Sequence, residues 1–453
     1  MTESTQAAKA RALAARFGGE RDGGWTPSGI PVEALAARFG TPFYLYDAGL
    51  VIDRIARVRA ALGTEVSYSI KANPSLALCQ VIAREAGTGA EVASAGELVV
   101  ALEAGFAPSD IVFAGPGKTD DELRRLVAAG ILADNVESLA EIDRLAGIAR
   151  AAAPVGVSLR LNPANQLMGS QMRMGGAASQ FGIDEADLEA AVERVRSHDE
   201  LTLRGIHVYT ATQVFEAEPL LEHCRTILGL GLRSADAWGG PLEVIDFGGG
   251  FGVPYFEKDR ELDLEAFGRG FRALLEAHRS DPRLAGCRFL FELGRYLVAE
   301  AGVYVTRVID TKVTRGREFV VADGGMNHHL TATGNMGQVF RKAFPLVNLS
   351  RLGGEPAATR PVTVTGPLCT PLDTFGTDVE LADPRVGDLI GVMDSGAYGY
   401  SASNLGFLSH PSPAEVLLWQ GEAIGLRSGG SPEDVLAGQA PLPAGATTPT
   451  ERG

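Results

Sequence analysis

The stretch Val66-Ser-Tyr-Ser-Ile-Lys71 decides the fold, because it has the pattern of a short buried strand that ends in a lysine. Successive side chains of a strand point to opposite faces, so the apolar Val66, Tyr68 and Ile70 share one face. Lys71 lies on the other face with two serines. We expect the apolar face to pack against helices and Lys71 to point into the interior. A buried lysine is costly unless it is paired or used in chemistry, and this strand alone leaves an ordinary ion pair open.

Strand candidates alternate with helical patterns around this lysine up to about residue 298. This alternation predicts right-handed crossovers and a parallel sheet, and eight strands is the number in a closed (β/α)8 barrel. We therefore predict an α/β fold, a TIM barrel over residues 42–298, with a doubly wound open sheet as the competing fold. The other seven candidate strands are Gly89–Ala93, Ile111–Ala114, Ile131–Asp134, Val157–Asn162, Leu203–Tyr209, Leu242–Phe247 and Arg288–Glu292.

Polar side chains recur at the inward positions of these strands. Arg160, His207 and Glu292 each lie inward near the C-terminal end of a strand, and barrel enzymes build their sites at that rim. Each residue alone fits a buried ion pair or a satisfied core histidine. Together with Lys71, they make four such side chains on four strands. Packing alone hardly explains this set, so the sequence predicts a site at this rim.

The glycine-rich segment Asp246-Phe-Gly-Gly-Gly-Phe-Gly252 follows the seventh strand. Consecutive glycines let backbone N–H groups approach a phosphate closely, although many such runs are only turns. The segment lacks the pattern of a dinucleotide site. A lysine that forms an imine, a phosphate loop, and an acid to keep a pyridine nitrogen protonated together indicate pyridoxal 5′-phosphate. The same parts also fit a sugar-phosphate aldolase that uses a lysine imine.

The rhythm changes after about residue 300, where strand patterns follow one another with little helix between them, as in an all-β domain. We expect the β domain to span residues 299–425. Residues 26–41 are expected to be an N-terminal segment that packs on it. The Ala- and Gly-rich residues 1–25 are expected to be a flexible extension, and residues 426–453 a flexible tail.

The composition excludes several classes of protein. The chain has 453 residues and a net charge of −15, which argues against a nucleic-acid surface. It shows no apolar run long enough to span a membrane and no signal-peptide pattern. Four scattered cysteines indicate reduced thiols and a cytoplasmic protein. We expect no metal.

The chain resembles, over about residues 41–417, the fold-type III pyridoxal phosphate decarboxylases, which include the diaminopimelate, ornithine and arginine decarboxylases. That family combines an alanine-racemase-like barrel with a C-terminal β domain. Seven segments carry the resemblance: Tyr68-Ser-Ile-Lys-Ala-Asn73, Glu91-Val-Ala-Ser-Ala-Gly-Glu97, Gly205-Ile-His207, Gly248-Gly-Gly250, Glu292-Leu-Gly-Arg295, Gly366-Pro-Leu-Cys369 and Gly396-Ala-Tyr398. In the second of them, Glu91 replaces the usual aspartate.

The resemblance implies a role for each matching residue. Lys71 would bind the cofactor as an imine, Glu292 would pair with its ring nitrogen and His207 would stack on its ring. The residues expected to contact the cofactor elsewhere are Arg160, Gly248, Gly249, Gly250, Gly294, Arg295 and Tyr398.

The resemblance further implies an obligate homodimer with its active sites at the interface. Cys369 from the other subunit would then protonate Cα as a general acid. The substrate would contact Arg295, Thr370, Asp373 and Tyr398.

Two departures from the family bear on the substrate. Thr370 stands where diamino-acid enzymes carry an acidic residue, and the segment after Asp323-Gly-Gly-Met326 lacks the arginine that reads a distal carboxylate. A site without partners for a distal charge should reject a substrate that carries one, so meso-diaminopimelate is disfavoured.

The chain is most similar to the natural-product branch, which includes the butirosin-pathway enzyme that decarboxylates glutamate held on an acyl carrier protein. This likeness implies a carrier-bound glutamyl or aspartyl substrate. Three alternatives stay open: decarboxylation of a free acid such as diaminopimelate, ornithine or lysine, a racemase or epimerase, and a non-catalytic regulatory homologue.

Overall fold

The computed structural model describes residues 5–150, 154–164, 172–173, 179–336, 342–353 and 359–443. Its strands are β1 (Gly18–Arg21), β2 (Gly24–Pro27), β3 (Phe43–Asp47), β4 (Glu65–Ser69), β5 (Gly89–Val92), β6 (Ile111–Phe113), β7 (Ala133–Val136), β8 (Val155–Asn162), β9 (Met172–Arg173), β10 (Ile183–Asp184), β11 (Leu201–His207), β12 (Ala211–Thr212), β13 (Val244–Asp246), β14 (Arg288–Leu293), β15 (Gly302–Thr314), β16 (Arg317–Ala322), β17 (Leu346–Asn348), β18 (Thr359–Thr365), β19 (Thr374–Ala382), β20 (Leu389–Val392), β21 (Ala414–Trp419) and β22 (Glu422–Arg427). Its α-helices are α1 (Thr5–Arg16), α2 (Val32–Phe39), α3 (Ala48–Leu62), α4 (Leu76–Val81), α5 (Ala95–Ala104), α6 (Asp120–Ala129), α7 (Leu139–Ala149), α8 (Leu188–Arg196), α9 (Ala217–Trp238), α10 (Leu264–Ala277) and α11 (Arg295–Val298). Within these ranges, no helix combines the length and apolar character that a membrane crossing requires.

Eight parallel strands close into the predicted barrel. They neighbour one another in the order β8, β11, β13, β14, β4, β5, β6 and β7, and the pairing of β7 with β8 closes the ring. An open sheet would leave these two edges unpaired, so the doubly wound alternative is wrong. Helices follow the strands and bury their apolar faces against the barrel. The register sets Glu292 beside Ser67 and His207 beside Asp246, so the polar strand ends meet at one rim.

The second domain is a mainly antiparallel sheet, as expected from its strand pattern. Its strands run in the order β19, β18, β16, β15, β3, β21 and β22, and β20 joins both β15 and β17. The predicted boundary at residue 42 differs from the structure, because β3 (Phe43–Asp47) pairs with β15 and β21 in this sheet. Four apolar and aromatic residues in a row give no sign of the sheet to which they belong.

Residues 5–25 form a helix and most of a hairpin where a flexible extension over residues 1–25 was expected, and residues 1–4 lie outside the described residues. The helix α1 and the hairpin of β1 and β2 pack on the β domain through a shared apolar cluster that contains Leu13, Phe17 and Trp25. Trp25 is fully buried, and its indole N–H donates to the carbonyl of Ala14 at 2.9 Å. Small alanines on one face of α1 allow this close packing. An alanine-rich composition alone does not distinguish a packed helix from a disordered segment.

The segment over residues 26–41 contains α2, which buries Val32 and Leu35 in the same cluster. At the other end, β22 continues to Arg427 and a short 3₁₀ helix follows at Pro432–Leu436. The part of the expected flexible tail over residues 426–443 is therefore partly structured. Residues 444–453 lie outside the described residues.

Candidate active site

Lys71 lies in a 3₁₀ turn, Ile70–Ala72, that continues β4 at the C-terminal rim of the barrel. Its Nζ donates to both carboxylate oxygens of Glu91, at 2.7 and 2.8 Å. Glu91 is fully buried on the neighbouring strand β5. Burial opposes the charge on Lys71, but Glu91 outweighs it, with help from Tyr398 and Glu292, so the pKa of Lys71 lies above its ordinary value. Without another reaction partner, this amine is held as an ammonium.

Glu292 and His207 face each other inside the barrel. Glu292 Oε2 lies 3.1 Å from His207 Nε2, and both side chains are buried. Burial opposes the charge on Glu292, but the imidazole of His207, and to a smaller degree Asp246 and Lys71, hold the pKa of Glu292 below its ordinary value. The site thus offers an ionised carboxylate beside an imidazole.

The glycine loop after β13 lies close to the neighbouring strands. A Cβ at Gly248, Gly249 or Gly250 would come within 2.1 to 2.4 Å of a backbone oxygen of Val208, Glu292 or Ala211. Gly248 and Gly250 also have positive φ values, of 61° and 95°, which favour glycine. Only glycines fit these three positions, and their exposed backbone can approach an anion.

Arg295 and Tyr398 complete the rim on the side of the β domain. The guanidinium of Arg295 lies 4.5 Å from the ring centroid of Tyr398, and it donates to the hydroxyl of Tyr255 at 3.4 Å. Tyr398 has a positive φ of 53° and donates its N–H to the carbonyl of Ala72, next to the lysine, at 2.7 Å. One cavity gathers these groups, and its lining includes Lys71, Tyr209, Gly250, Glu292, Gly294, Arg295 and Tyr398.

Arg160 is engaged elsewhere in the barrel. It forms a buried ion pair with Glu137 at 2.6 Å, and its guanidinium lies 5.0 Å from the ring centroid of Phe181. Glu137 also accepts from the backbone N–H groups of Gly115 and Gly182. Arg160 is not among the residues that line the cavity at Lys71, so its expected cofactor contact has no support in this geometry.

The loop that carries Cys369 lies apart from the lysine of its own chain. Cys369 is exposed and does not line the cavity at Lys71. The neighbouring Thr370 accepts the N–H of Leu372 at 3.3 Å. Within one chain, the described residues therefore do not bring Cys369 or Thr370 to the candidate site.

Asp373, which the sequence predicts to contact the substrate, binds the backbone of its own chain. Asp373 is 2 % exposed, and its two oxygens accept the N–H groups of Met326 and Leu368 at 2.7 and 2.8 Å. The carboxylate therefore ties the Cys369 loop to the turn at Met326. The short side chain of Asp373 points back to the backbone, so its carboxylate stabilises its own loop.

Three residues of the site were not predicted. Glu91 was noted only as a variant in a motif, although it pairs directly with Lys71. Tyr209 was assigned an inward position but no role, and its ring centroid lies 5.9 Å from Lys71 Nζ. Asp246 opens the glycine segment and faces Glu292. The alternation of inward and outward side chains along a strand would have identified Tyr209. The identification of Glu91 and Asp246 requires the register between neighbouring strands.

A closed barrel with a lysine, two facing acids and a glycine cradle at its C-terminal rim defines an enzyme site for a phosphate-bearing cofactor. Comparison with known families makes this specific. Residues 48–299 match the family described as "Pyridoxal-dependent decarboxylase, pyridoxal binding domain". The chain therefore belongs to the pyridoxal-dependent decarboxylases and is an amino-acid decarboxylase, which confirms the family, the fold and the cofactor expected from the sequence.

Known relatives cover nearly the whole chain. An L-glutamyl-[BtrI acyl-carrier protein] decarboxylase from Niallia circulans is 39% identical over 414 residues, which is 90% of this chain and 96% of the relative. A diaminopimelate decarboxylase from Zymomonas mobilis is 31% identical over 90% of this chain and 94% of its own length. Among solved structures, diaminopimelate decarboxylase from Helicobacter pylori complexed with L-lysine has a TM-score of 0.80 and 28% identity, over 90% of this chain and 98% of that one.

The residues present fit pyridoxal phosphate. The three glycines leave a cradle that any Cβ would fill. Glu292 Oε1 and both ring nitrogens of His207 are buried without a good hydrogen-bond partner among the described residues, so they remain available to a ligand. The primary amine of Lys71 lines the same cavity as Glu292 and the glycine loop. An aldehyde, a ring nitrogen and a phosphate can thus all be accommodated at one rim.

Proposed function

We propose that this enzyme removes the α-carboxylate of a glutamyl- or aspartyl-type amino acid that is tethered to an acyl carrier protein. The observation that carries this proposal is the use of Asp373 by its own loop, where it accepts two backbone N–H groups. With Thr370 in place of an acidic residue, the motif offers no free carboxylate to a distal amine. A substrate whose distal end is a neutral thioester needs no such partner. The 39% identity to a glutamyl-carrier decarboxylase supports the same substrate class.

The roles of the rim residues follow from their chemistry. Lys71 would hold the cofactor covalently, and Gly249 and Gly250 would bind its phosphate through backbone N–H groups. Gly248, whose N–H donates to Asp246 at 2.8 Å, would shape the loop. Arg295 would contact the phosphate or the substrate carboxylate. Pyridoxal phosphate, when bound, supplies an electron sink for the electron pair left at Cα as CO2 departs.

The ionised Glu292 would keep a ring nitrogen protonated, because a charged carboxylate stabilises a cation beside it. His207 would stack on the ring, and Tyr398 would orient Arg295 through the contact between its ring and the guanidinium. Gly294 has no room for a Cβ, which would come within 2.8 Å of Ala72 Cβ. The close approach of this turn to β4 sets the position of Arg295.

We further propose that the enzyme is a homodimer in which a second copy of the chain supplies Cys369 and Thr370. The exposed thiol of Cys369 lies outside the cavity of its own chain. A cysteine from the neighbouring subunit could reach the cavity and donate a proton to Cα. The four cysteines are free, which supports a reducing, cytoplasmic setting. A carrier-bound substrate would place the enzyme in antibiotic or other natural-product biosynthesis.

A second candidate function is decarboxylation of a free diamino acid. The 31% identity to a diaminopimelate decarboxylase over 90% of this chain favours it. In that case the partners for the distal groups would have to come from residues other than Thr370 and Asp373.

The deciding experiment measures CO2 release from a panel of substrates with the purified holoenzyme. The panel contains glutamate and aspartate loaded on a carrier protein, the same free acids, and free diaminopimelate, ornithine and lysine. We expect release from a carrier-loaded acid and much slower release from every free acid. Faster turnover of a free diamino acid would replace the first proposal by the second. The same panel is measured with the variant Thr370→Glu. Its CO2 release from free diamino acids should exceed that of wild type only if position 370 faces the substrate.

A further inference from the structure

One buried acid at the site has no role so far. Asp246 ends β13, and its Oδ1 accepts the N–H of Gly248 at 2.8 Å. Asp246, Glu292 and His207 each bring a nitrogen or oxygen atom within 4.8 Å of the others, and all three side chains are buried. The second oxygen of Asp246 and Oε1 of Glu292 have no donor among the described residues. Two neighbouring buried carboxyl groups, each with an unpartnered oxygen, require an explanation.

A proton between the two carboxyl groups satisfies both oxygens. Two ionised carboxylates cannot share a dry site without strong repulsion, so one of them takes up a proton. Burial raises the pKa of Asp246 well above its ordinary value, and Glu292 and Glu91 raise it further. His207 and Lys71 instead lower the pKa of Glu292, because both interact with its carboxylate. The proton therefore belongs on Asp246.

We propose that Asp246 is a protonated positioning residue, which donates a hydrogen bond to Glu292 and presents it to the cofactor ring as a single ionised carboxylate. The other oxygen of Asp246 holds the N–H of Gly248. One side chain thus fixes the acid that faces the ring nitrogen and the loop that binds the phosphate. Both ends of the cofactor are set by this residue, whichever amino acid is the substrate.

The same three side chains could instead hold a divalent cation, since an imidazole and two carboxylates are common ligands. A cation there would occupy the oxygens of Glu292 and would remove the need for a proton. Metal analysis of the purified protein therefore belongs to the test, and a stoichiometric metal that depends on Asp246 would overturn the proposal.

The protonation state can be read in the apoprotein, without activity. Infrared difference spectra of wild type against Asp246→Asn, at a pH of about 8, should show the loss of a protonated-carboxyl band that shifts in deuterium oxide. The matched control is Asp134→Asn, which removes a buried aspartate that is paired with Lys118. Burial raises the pKa of Asp134 to about 6, so at this pH the control should lose only carboxylate absorbance. An unchanged carboxyl band in Asp246→Asn would contradict the proposal.

The positioning role predicts an ordering of variants in cofactor affinity, measured by titrating apoprotein with pyridoxal phosphate and following fluorescence. An asparagine can accept from Gly248 and donate to Glu292 as a protonated aspartate does, so Asp246→Asn should bind within about threefold of wild type. Asp246→Ala removes a hydrogen bond to a charged group and should weaken binding about 10- to 100-fold. Equal losses in both variants would show that the negative charge of Asp246 matters and would refute the shared proton. Because Asp246→Asn keeps the shape, it remains informative if Asp246→Ala fails to fold.

Discussion

At the scale of single residues, the pairing of Lys71 with Glu91 determines the state of the amine. Two oxygens within 2.8 Å hold the ammonium in place, and a protonated amine is not a nucleophile. The amine must therefore lose its proton before it can bind the cofactor covalently. The strand β5 positions Glu91 beside this amine.

Replacement of Lys71 tests the covalent bond to the cofactor. Lys71→Ala should lose the visible absorbance of the holoenzyme and its CO2 release, because no other lysine among the described residues lines the cavity. Absorbance of the protein after dialysis against the cofactor checks this. The control is Lys258→Ala, at an exposed lysine, which should remain coloured and active. A coloured, active Lys71→Ala protein would rule out the assignment.

The sequence allowed prediction of those site residues whose role follows from their own strand. Inward alternation placed Lys71, His207 and Glu292 correctly at one rim, because alternation depends only on the pleat. The partners Glu91 and Asp246 depend on how neighbouring strands are aligned, which a single strand does not encode. The contact of Asp373 with the backbone of its own loop was not foreseen, because a motif gives the residue but not the direction of its side chain.

At the scale of elements, the glycine loop between β13 and α10 is shaped by contact with β14. A Cβ on Gly249 would come within 2.1 Å of the carbonyl oxygen of Glu292, so any side chain must push the loop away from the strand. Gly249→Ala should weaken cofactor binding about tenfold or more, in line with loss of one or two hydrogen bonds to an anion. Fluorescence titration of the apoprotein measures this change.

A matched variant separates this effect from a general cost of replacing glycine. Gly240 follows α9, and its nearest neighbour to an added Cβ lies 3.9 Å away. Gly240→Ala should therefore bind the cofactor as wild type does. Equal affinity of the two variants would contradict the role of the loop as a phosphate cradle.

The N-terminal helix α1 brings a charge to the domain interface that makes stability depend on pH. Lys9 Nζ lies 3.8 Å from Asp394, a buried acid four residues before Tyr398. Burial raises the pKa of Asp394 to about 7, against the attraction of Lys9, while Glu300 adds to the shift and Arg16 and Arg54 oppose it. The folded protein thus keeps a proton that the unfolded chain releases near pH 4, roughly its ordinary value.

Because the folded state binds more protons between about pH 4 and 7, its stability falls as pH rises through this window. Asp394→Asn removes the titration, and asparagine tolerates the positive φ of 58° at this position. We expect the variant to gain stability relative to wild type between pH 5 and 8, on the order of a few kcal/mol. Thermal melts at several pH values measure the difference. A difference that stays constant over this range would contradict the titration of Asp394.

The elements themselves followed from the sequence to different degrees. All eight barrel strands were predicted, since each is a short apolar run between helical patterns. The strands β17, β19 and β22, each of which pairs with one neighbour only, were not, because edge strands carry weaker signals. The strand β3 was also not predicted, although it lies inside the sheet between β15 and β21. The order over residues 5–25 was missed since it depends on tertiary contacts of Trp25 and Leu13, which local composition does not report.

At the scale of the whole molecule, the described residues do not bring the candidate catalytic residues Lys71 and Cys369 together within one chain. Lys71 and Glu292 share a cavity in the barrel, whereas Cys369 lies exposed on the β domain, outside that cavity. A homodimer with symmetric contacts would complete two sites at once, each with the lysine of one chain and the cysteine of the other. This arrangement predicts that activity depends on the association of two chains and not on Lys71 or Cys369 alone.

Two defective variants should restore activity to each other when they are mixed under conditions that allow subunits to exchange. Lys71→Ala lacks the cofactor lysine, and Cys369→Ala lacks the general acid, whose loss should slow turnover about 10²- to 10⁴-fold. Half of the exchanged dimers are mixed, and each mixed dimer has one site with both residues, so activity should recover to about a quarter of wild type. Cys287→Ala, at a half-buried cysteine, is the control and should be active without mixing. If the mixture stays as inactive as its parts although mass spectrometry shows mixed dimers, Cys369 acts within its own chain or not at all, and the shared site is excluded.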